Sequence, residues 1–178
     1  MEKVRVRIEG ISPLLMHRYP EPDEDAKSKA KNRKKNEDDV AAAIYKDENG
    51  ILVQPSDHLI GALKKAGAKF QIPGEGKTTY KNIVGSGAVI IEPDLIPHEV
   101  QDYTVDRRPV VVQRSRIMRS RPKLTKWSLS FDVEYDEEEI PKSVLKELLD
   151  YSGRRVGIGD FRPSCGGHFG RFIVTEFA

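Results

Sequence analysis

A two-layer α+β fold, with two helices covering one face of a four-stranded antiparallel sheet, is what this sequence predicts. Three observations predict it. Residues 3–11 and 127–135 alternate apolar and polar side chains with period two (Val4, Val6, Ile8; Trp127, Leu129, Phe131, Val133, Tyr135), the pattern of strands buried on one face. Residues 56–70 and 141–149 instead place apolar residues at helical spacing, as amphipathic helices do. A short apolar strand follows each helix, at 88–92 and 172–177. The order is therefore β-α-β-β-α-β, the split βαβ arrangement of the ferredoxin-like (RRM-like) fold. A chain of 178 residues is long enough to bury one core without disulfides or metals, so a single domain spanning 1–178 is expected.

Each element has a local reason. The first strand shows Arg5, Arg7 and Glu9 on its polar side, so its exposed face is expected to be basic. It runs into the apolar step Ser12-Pro-Leu-Leu-Met-His17. Residues 44–54 hold Asp47-Glu-Asn-Gly50 between apolar flanks, and Asn-Gly is a strong hairpin signal. Pro55-Ser56-Asp57 then opens a helix with Ser56 as expected N-cap; Leu59, Leu63, Ala66 and Phe70 share one face, and Lys64 and Lys65 suit its C-terminal end. Residues 71–87, with four glycines, read as a loop, and the strand at 88–92 is ended by Pro93. After 127–135, Pro141 is placed at a first helical position, Val144, Leu145, Leu148 and Leu149 face inward, and Gly153 is the expected C-terminal cap.

Two insertions interrupt this core, at about 19–50 and about 97–126. In the first, residues 21–39 are almost purely charged and cannot bury enough apolar surface to offset their ordering entropy, so a mobile digit is expected. In the second, residues 107–126 carry eight basic residues and no acidic one: Arg107, Arg108, Arg114, Arg116, Arg119, Arg121, Lys123 and Lys126. Val110–Val112 and Ile117–Met118 make it a hairpin or arm, whose mutual repulsion a polyanionic partner relieves. Arginine predominates there, and its planar fork suits phosphate and base edges.

A third cationic stretch, GRRVGIGDFRPSCGGHFGRF at 153–172, interleaves six glycines with Arg154, Arg155, Arg162 and Arg171. Its glycines can turn backbone N–H groups into a concave nest for an anion.

Overall charge is uninformative, because 30 basic against 28 acidic residues leave +2. One cysteine offers no disulfide framework and suits a reducing compartment. No stretch is apolar and long enough for a signal peptide or a membrane span, so a cytoplasmic location without membrane partners is expected. No cofactor or metal is expected either: the spacing of Cys, His and carboxylates makes no zinc site, and no Gly-Lys-Ser/Thr follows a strand.

With these motifs in view, the chain resembles the RAMP superfamily of CRISPR-associated RNA-binding proteins. The resemblance rests on the Ile-Ser-Pro-Leu-Leu-Met-His17 step, on Val53-Gln-Pro-Ser-Asp-His-Leu-Ile-Gly-Ala-Leu-Lys64, and on Gly157-Ile-Gly-Asp-Phe-Arg162 through Gly170-Arg-Phe before a terminal strand. Size and inserted arms are most similar to the backbone subunit of effector complexes, or to a solitary viral or mobile-element relative of it. Asp160, Pro163 and Cys165 depart from the family's loop.

What the resemblance implies is a guide-RNA-binding protein that assembles as repeated copies along single-stranded RNA, with single-stranded DNA as the open alternative and other effector subunits as further partners. The core would be a palm and residues 103–126 a thumb-like hairpin. RNA contacts would then fall to Arg107, Arg108, Arg114, Arg116, Arg119 and Arg121 on the hairpin, Lys64 and Lys65 on the helix, and Arg154, Arg155, Gly157, Gly159, Arg162, Gly166, Gly167 and Arg171 in the glycine-rich segment. The alternative function is a metal-independent endoribonuclease that processes guide RNA, for which His17 with Arg18, His168 beside Arg171, or an aspartate such as Asp23 or Asp25 would supply the reacting group. A non-enzymatic protein-assembly module is the third class. Few aromatics fall on the open sheet face, so bases are not expected to stack there as on an RRM.

Overall fold

The computed structural model describes residues 1–19 and 40–178. The expected charged digit at 21–39 lies outside the described residues. In chain order the elements are β1 (Glu2–Gly10), β2 (Leu14–Leu15), β3 (Val53–Pro55), α1 (Ser56–Gly67), α2 (Lys81–Gly85), β4 (Val89–Glu92), β5 (Leu95–Pro97), β6 (Thr104–Val112), β7 (Ser115–Leu124), β8 (Ser128–Tyr135), α3 (Lys142–Tyr151) and β9 (Phe172–Phe177).

The main sheet has the order β4-β8-β1-β9, and every neighbour is antiparallel. With α1 between β1 and β4 and α3 between β8 and β9, this is an α+β fold with a ferredoxin-like core. Period-two alternation sends Val4, Val6 and Ile8 of β1 and Leu129, Phe131 and Val133 of β8 to the same face, all at most 1 % exposed. That face meets Leu59 and Leu63 of α1 and Leu145, Leu148 and Leu149 of α3 in one apolar cluster. Phe131 is fully buried at its centre, where truncation to alanine costs about 3–5 kcal/mol.

The second insertion forms the expected hairpin. β6 and β7 pair from Thr104↔Lys123 to Val112↔Ser115, closed by Gln113 and Arg114, both with positive φ (48° and 67°). Two left-handed residues make the primed turn whose twist matches that of a two-stranded ribbon. β2 pairs with the base of β7 (Leu14↔Leu124, Leu15↔Lys123), so the apolar step after β1 fixes where the hairpin emerges from the core.

Three local expectations are corrected. Ser56 is the first residue of α1 and not its cap: Pro55 holds the cap position without a side-chain hydrogen bond, and the Ser56 N–H donates to the Asp94 carbonyl at 2.8 Å. Residues 71–87 are not wholly loop, because α2 occupies Lys81–Gly85. Its start is held by Tyr80, which is buried in the core cluster. Gly153 does not end α3, which runs on through a π-helical turn at Ser152–Val156. A Cβ on Gly153 would stand 2.2 Å from the Phe172 carbonyl oxygen, so glycine is there to let β9 approach. The expected Asn-Gly hairpin forms over a short span, with the bridge pair Lys46↔Leu52, hydrogen bonds from Asp47 N–H to the Ile51 carbonyl (3.0 Å) and Val53 N–H to the Tyr45 carbonyl (3.1 Å), and Asp47 Oδ1 accepting from Asn49 and Ile51 N–H at 2.9 Å. The chain beyond it pairs with β5 instead.

Candidate nucleic-acid interface

Four segments converge beyond the end of β1: the Leu15-Met16-His17 step, the outward stripe of α1, the loop at 156–162, and the base of the hairpin. Between α1 and the loop lies an inner cleft of about 330 Å³, whose lining includes Met16, Gln54, His58, Gly61, Lys65 and Ile158. Between the loop and the hairpin lies an outer groove of about 490 Å³, lined by Val110, Val111, Arg119, Arg121 and Phe161. His17 and Asp160 belong to both.

Asp160 is the electrostatic hinge of this region. Its N–H donates to the Leu15 carbonyl at 3.0 Å, tying the loop to β2. Its Oδ2 lies 3.3 Å from His17 Nδ1 and 2.8 Å from Arg121 Nε. The hydrogen bond with His17, aided by the Arg121 charge, holds the Asp160 carboxyl below the usual carboxylate range despite partial burial. Arg121 is buried, its guanidinium 4.9 Å from the Phe161 ring centroid, and burial lowers its pKa against the opposing pull of Asp160. Arg108 sits beside it, held by both oxygens of Asp106 (2.6 and 2.8 Å) and lying 4.8 Å from the Phe169 ring. Cross-strand register explains the grouping, since Asp106↔Arg121 and Arg108↔Arg119 place these side chains on one face of the hairpin.

The predicted residues therefore separate into groups. Arg108 and Arg121 are internal ties between the hairpin and Phe161 and Phe169. Arg107 is exposed, with Nε 3.3 Å from Ser120 Oγ. Arg114 and Arg116 are exposed at the tip and Arg119 is half-buried in the outer groove. Among the described residues no carboxylate pairs with Arg107, Arg114, Arg116 or Arg119. Lys65 lines the inner cleft, its Nζ 3.4 Å from Ser164 Oγ. Lys64 turns toward α2, where its Cε would lie 3.0 Å from a Cβ on Gly85. Arg162 donates to the Gly159 carbonyl at 2.7 Å and to Ser164 Oγ at 3.0 Å. Gly157, Gly159 and Arg162 line the inner cleft. Arg154 and Arg155 are exposed on the π-helical turn, while Gly166, Gly167 and Arg171 lie outside both cavities.

The anion nest is not what the loop's glycines make. The N–H groups of Gly157, Ile158, Asp160, Gly167, Phe169 and Gly170 are all spent on carbonyls within the loop or on its neighbours, as in Gly170 N–H to Pro13 O at 2.7 Å. A Cβ on Gly170, whose φ is +66°, would come 1.7 Å from the Ile158 carbonyl oxygen. These glycines let the loop fold tightly onto itself and onto the end of β1.

His17 stands at the junction of the two cavities, held by Asp160. His168 lines neither, and its ring lies 4.4 Å from that of Phe169. Asp23 and Asp25 lie outside the described residues. Sequence reasoning passed over Asp160 as a departure from the family loop, and it passed over Phe161 and Phe169 because a lone aromatic between glycines carries no periodic signal. Gln54 and Gly61 were read only as parts of a strand-to-helix motif.

The open face of the sheet is not the basic surface that β1 predicts. Lys3 lies within 3.6 Å of Glu92, Asp132 and Glu134, and Arg5 pairs with Asp132 at 2.8 Å. Arg7 pairs with Glu9 and with Glu99 at 2.8 Å. Apart from Glu9 of β1 itself, the acids come from β4, β8 and the segment after β5, which the alternation of β1 alone cannot show.

The sequence matches no family model and no curated protein. Solved structures do share the fold. A chain of a structure described as the Type III-B Cmr-beta bound to cognate target RNA superposes with a TM-score of 0.58 at 13 % identity, over 99 % of this chain and 60 % of that one. A chain of a Type IV-B CRISPR complex superposes with a TM-score of 0.52 at 11 % identity, over 99 % of this chain and 90 % of that one. This chain thus spans about three-fifths of the Cmr-beta chain that it resembles. At 13 % and 11 % identity these two likenesses are of fold.

Proposed function

We propose that this protein is an RNA-binding subunit of a CRISPR effector complex, in which repeated copies hold a single strand and none cuts it. The observation that carries this reading is the placement of bare guanidinium groups. Among the described residues no carboxylate pairs with Arg107, Arg114, Arg116 or Arg119: Arg119 lines the outer groove, Arg114 stands at the hairpin turn, Arg107 and Arg116 fall on the other face of the ribbon by its cross-strand register, and Lys65 and Arg162 line the inner cleft. A polyanion supplies the missing counter-charge along a line, which a compact anion does not. The fold likeness to chains of CRISPR complexes supports the same reading, as do the motifs that resemble the RAMP superfamily.

Binding held mainly by phosphate falls steeply with salt and discriminates poorly between sequences. The test is fluorescence anisotropy of the full chain with labelled single-stranded RNA and DNA from 50 to 300 mM salt, with electron microscopy of the RNA-bound material. Strong salt dependence and RNA-dependent multimers are expected. RNA binding that is absent at 50 mM salt sinks the proposal.

The His17–Asp160 contact favours one rival reading, a metal-independent ribonuclease with His17 as general base. Its signature is cleavage of labelled RNA in the presence of chelator, lost in His17→Ala. Uncut RNA leaves the binding reading in place.

A further inference from the structure

We propose that Phe161 is the positioning residue of the hairpin: its ring grips two guanidinium groups and fixes the stance of the ribbon over the glycine-rich loop. The inference rests on the RNA-binding reading and adds to it what makes hairpin and loop act as one site.

The backbone of Phe161 is held where a bulky residue does not settle of its own accord. Its φ is +49°, left-handed backbone that costs free energy for a residue with a Cβ and that glycine takes freely. Glycine stands at every other left-handed position of the loop, at 157, 159, 166 and 170. Phe161 is pinned there from both sides: its N–H donates to Asp160 Oδ1 at 3.0 Å, and its carbonyl accepts from the Phe169 N–H at 3.1 Å. A Cβ on Gly167 would stand 1.7 Å from that same carbonyl oxygen, so the chain is cleared to close around it. Strain kept up by such pinning points to a use for the side chain.

What the ring touches says what the use is. Phe161 is half-buried in the wall of the outer groove and is no part of the apolar core cluster. Its ring centroid lies 4.9 Å from the Arg121 guanidinium and 5.5 Å from that of Arg108, both within cation–π reach. Arg121 is 6 % exposed, and a desolvated cation is the kind that an aromatic face holds best. Arg108 comes from β6 and Arg121 from β7, on one face of the ribbon. One ring therefore grips both strands, which resists roll of the ribbon as well as lift off the loop. Beyond the β2 pairing at Lys123 and Leu124, β6 and β7 bond within the sheet only to each other, and a two-stranded ribbon alone is marginal in water. Arg119 lines the outer groove on the gripped face, and Arg162 follows Phe161 in the loop; the ring sets how far apart they stand. Two cationic elements at a fixed separation hold one polyanion at high effective concentration, and loosened they hold it as two weak sites.

The test separates positioning from contact. Spin labels on Cys165, exposed in the loop, and on Gln113→Cys at the hairpin turn report the stance as a pulsed EPR distance, without RNA. The parent should give one narrow distribution, Phe161→Leu a broad one, and Phe161→Tyr, which keeps the ring face, a narrow one again. By anisotropy with single-stranded RNA of about 12 nucleotides, Phe161→Leu should bind about tenfold more weakly and Phe161→Tyr within about twofold of the parent. In a chain with alanine at Arg107, Arg114, Arg116 and Arg119, Phe161→Leu should cost nothing further, because the stance of a hairpin without contact cations no longer matters. A loss that persists there means that Phe161 touches the strand itself, and it overturns the positioning role. An unchanged distance distribution or an equal RNA affinity in Phe161→Leu also overturns it, and each leaves the RNA-binding reading standing. Failure of the parent to bind the RNA overturns both. Where leucine lowers the urea midpoint, Phe161→Gly takes its place and the same outcomes are read, since glycine removes the ring and accepts the left-handed backbone.

Discussion

Two surfaces of this molecule are rich in cations, and they are built for opposite ends. On the open sheet face, Lys3, Arg5 and Arg7 each find a carboxylate from a neighbouring strand or turn, so the charge is internally settled and the face is close to neutral. On the hairpin, Asp106 settles Arg108 and Asp160 settles Arg121, while no carboxylate among the described residues pairs with Arg107, Arg114, Arg116 or Arg119. The two sets differ in their local counter-charge, not in residue type. The satisfied Arg108 and Arg121 share one face of the hairpin with Arg119, while Arg107 and Arg116 fall on the other face and Arg114 at the turn.

The largest expected effect tests that contrast. Replacing Arg107, Arg114, Arg116 and Arg119 together with alanine removes four bare cations, at about 1 kcal/mol each in contact with a polyanion, so RNA affinity should fall roughly a thousandfold. The salt slope should flatten by about 3, at about 0.7 per phosphate contact on a single strand. Replacing Lys3 and Arg5 with alanine removes two cations that are already neutralised, and affinity should hold within about twofold. If the two variants lose affinity equally, net charge alone governs binding and local pairing is irrelevant.

The same contrast separates what was legible in the sequence from what was not. Alternation in β1 and β8 and helical spacing in α1 and α3 follow from one-sided burial, which is local and periodic, so the core could be read directly. The hairpin could be read from its charge and its two apolar runs. Pairing between distant strands could not. The basic face of β1 is cancelled by Glu92, Glu99 and Asp132, some ninety or more positions away. The sequence offers Arg121 as a phosphate contact, while in the fold it lies against Asp160 and Phe161, because composition cannot say on which face of a ribbon a side chain lies, or what faces it. The glycine-rich loop misled for a related reason, since glycine admits close approach but does not say whether the approaching group is a ligand or another stretch of the same chain.

The next largest effect is on stability and lies behind the sheet. His98 is 3 % exposed, neither ring nitrogen has a partner, and burial pushes its pKa down to about 4. A histidine depressed on folding binds its proton more readily in the unfolded chain. Its contribution is therefore intact above the unfolded value of about 6.5 and is lost as pH falls from there toward 4, by at most about 3 kcal/mol. Urea unfolding at pH 7 and pH 4.5 should show the loss, and His98→Leu should abolish most of it. A variant that keeps the full pH dependence places the titration elsewhere.

Breaking the hinge should cost somewhat less. Asp160→Ala leaves the Arg121 guanidinium enclosed without its counter-charge, an uncompensated position that costs about 2 kcal/mol at a site still partly open to water. It should also loosen the hairpin relative to the glycine-rich loop, which hydrogen exchange along β7 would register. Adding Arg121→Met to Asp160→Ala should restore part of the stability, because an apolar side chain of similar length suits the space beside Phe161. If the double variant is no more stable than the single, the aspartate acts through His17 and Leu15 alone.

The smallest effect turns the neutral face toward the behaviour of the bare one. Glu99 accepts from Arg7 at 2.8 and 3.0 Å and from the hydroxyls of Ser128 and Ser130 at 2.7 and 2.8 Å. Chiefly through Arg7, its carboxyl is held at about 2. A carboxylate depressed on folding contributes above its unfolded value of about 4.5, and the contribution fades as pH drops from there toward 2, a window below that of His98. Because the side chain is more than a third exposed, solvent screening keeps Glu99→Gln to about 1 kcal/mol or less in urea at pH 7. The amide still accepts from one serine but no longer neutralises Arg7, which keeps only Glu9. RNA affinity at low salt should then rise by about twofold. No rise, with stability lowered as expected, would mean that the strand never passes near the sheet and that the hairpin and its groove carry the whole electrostatic contact.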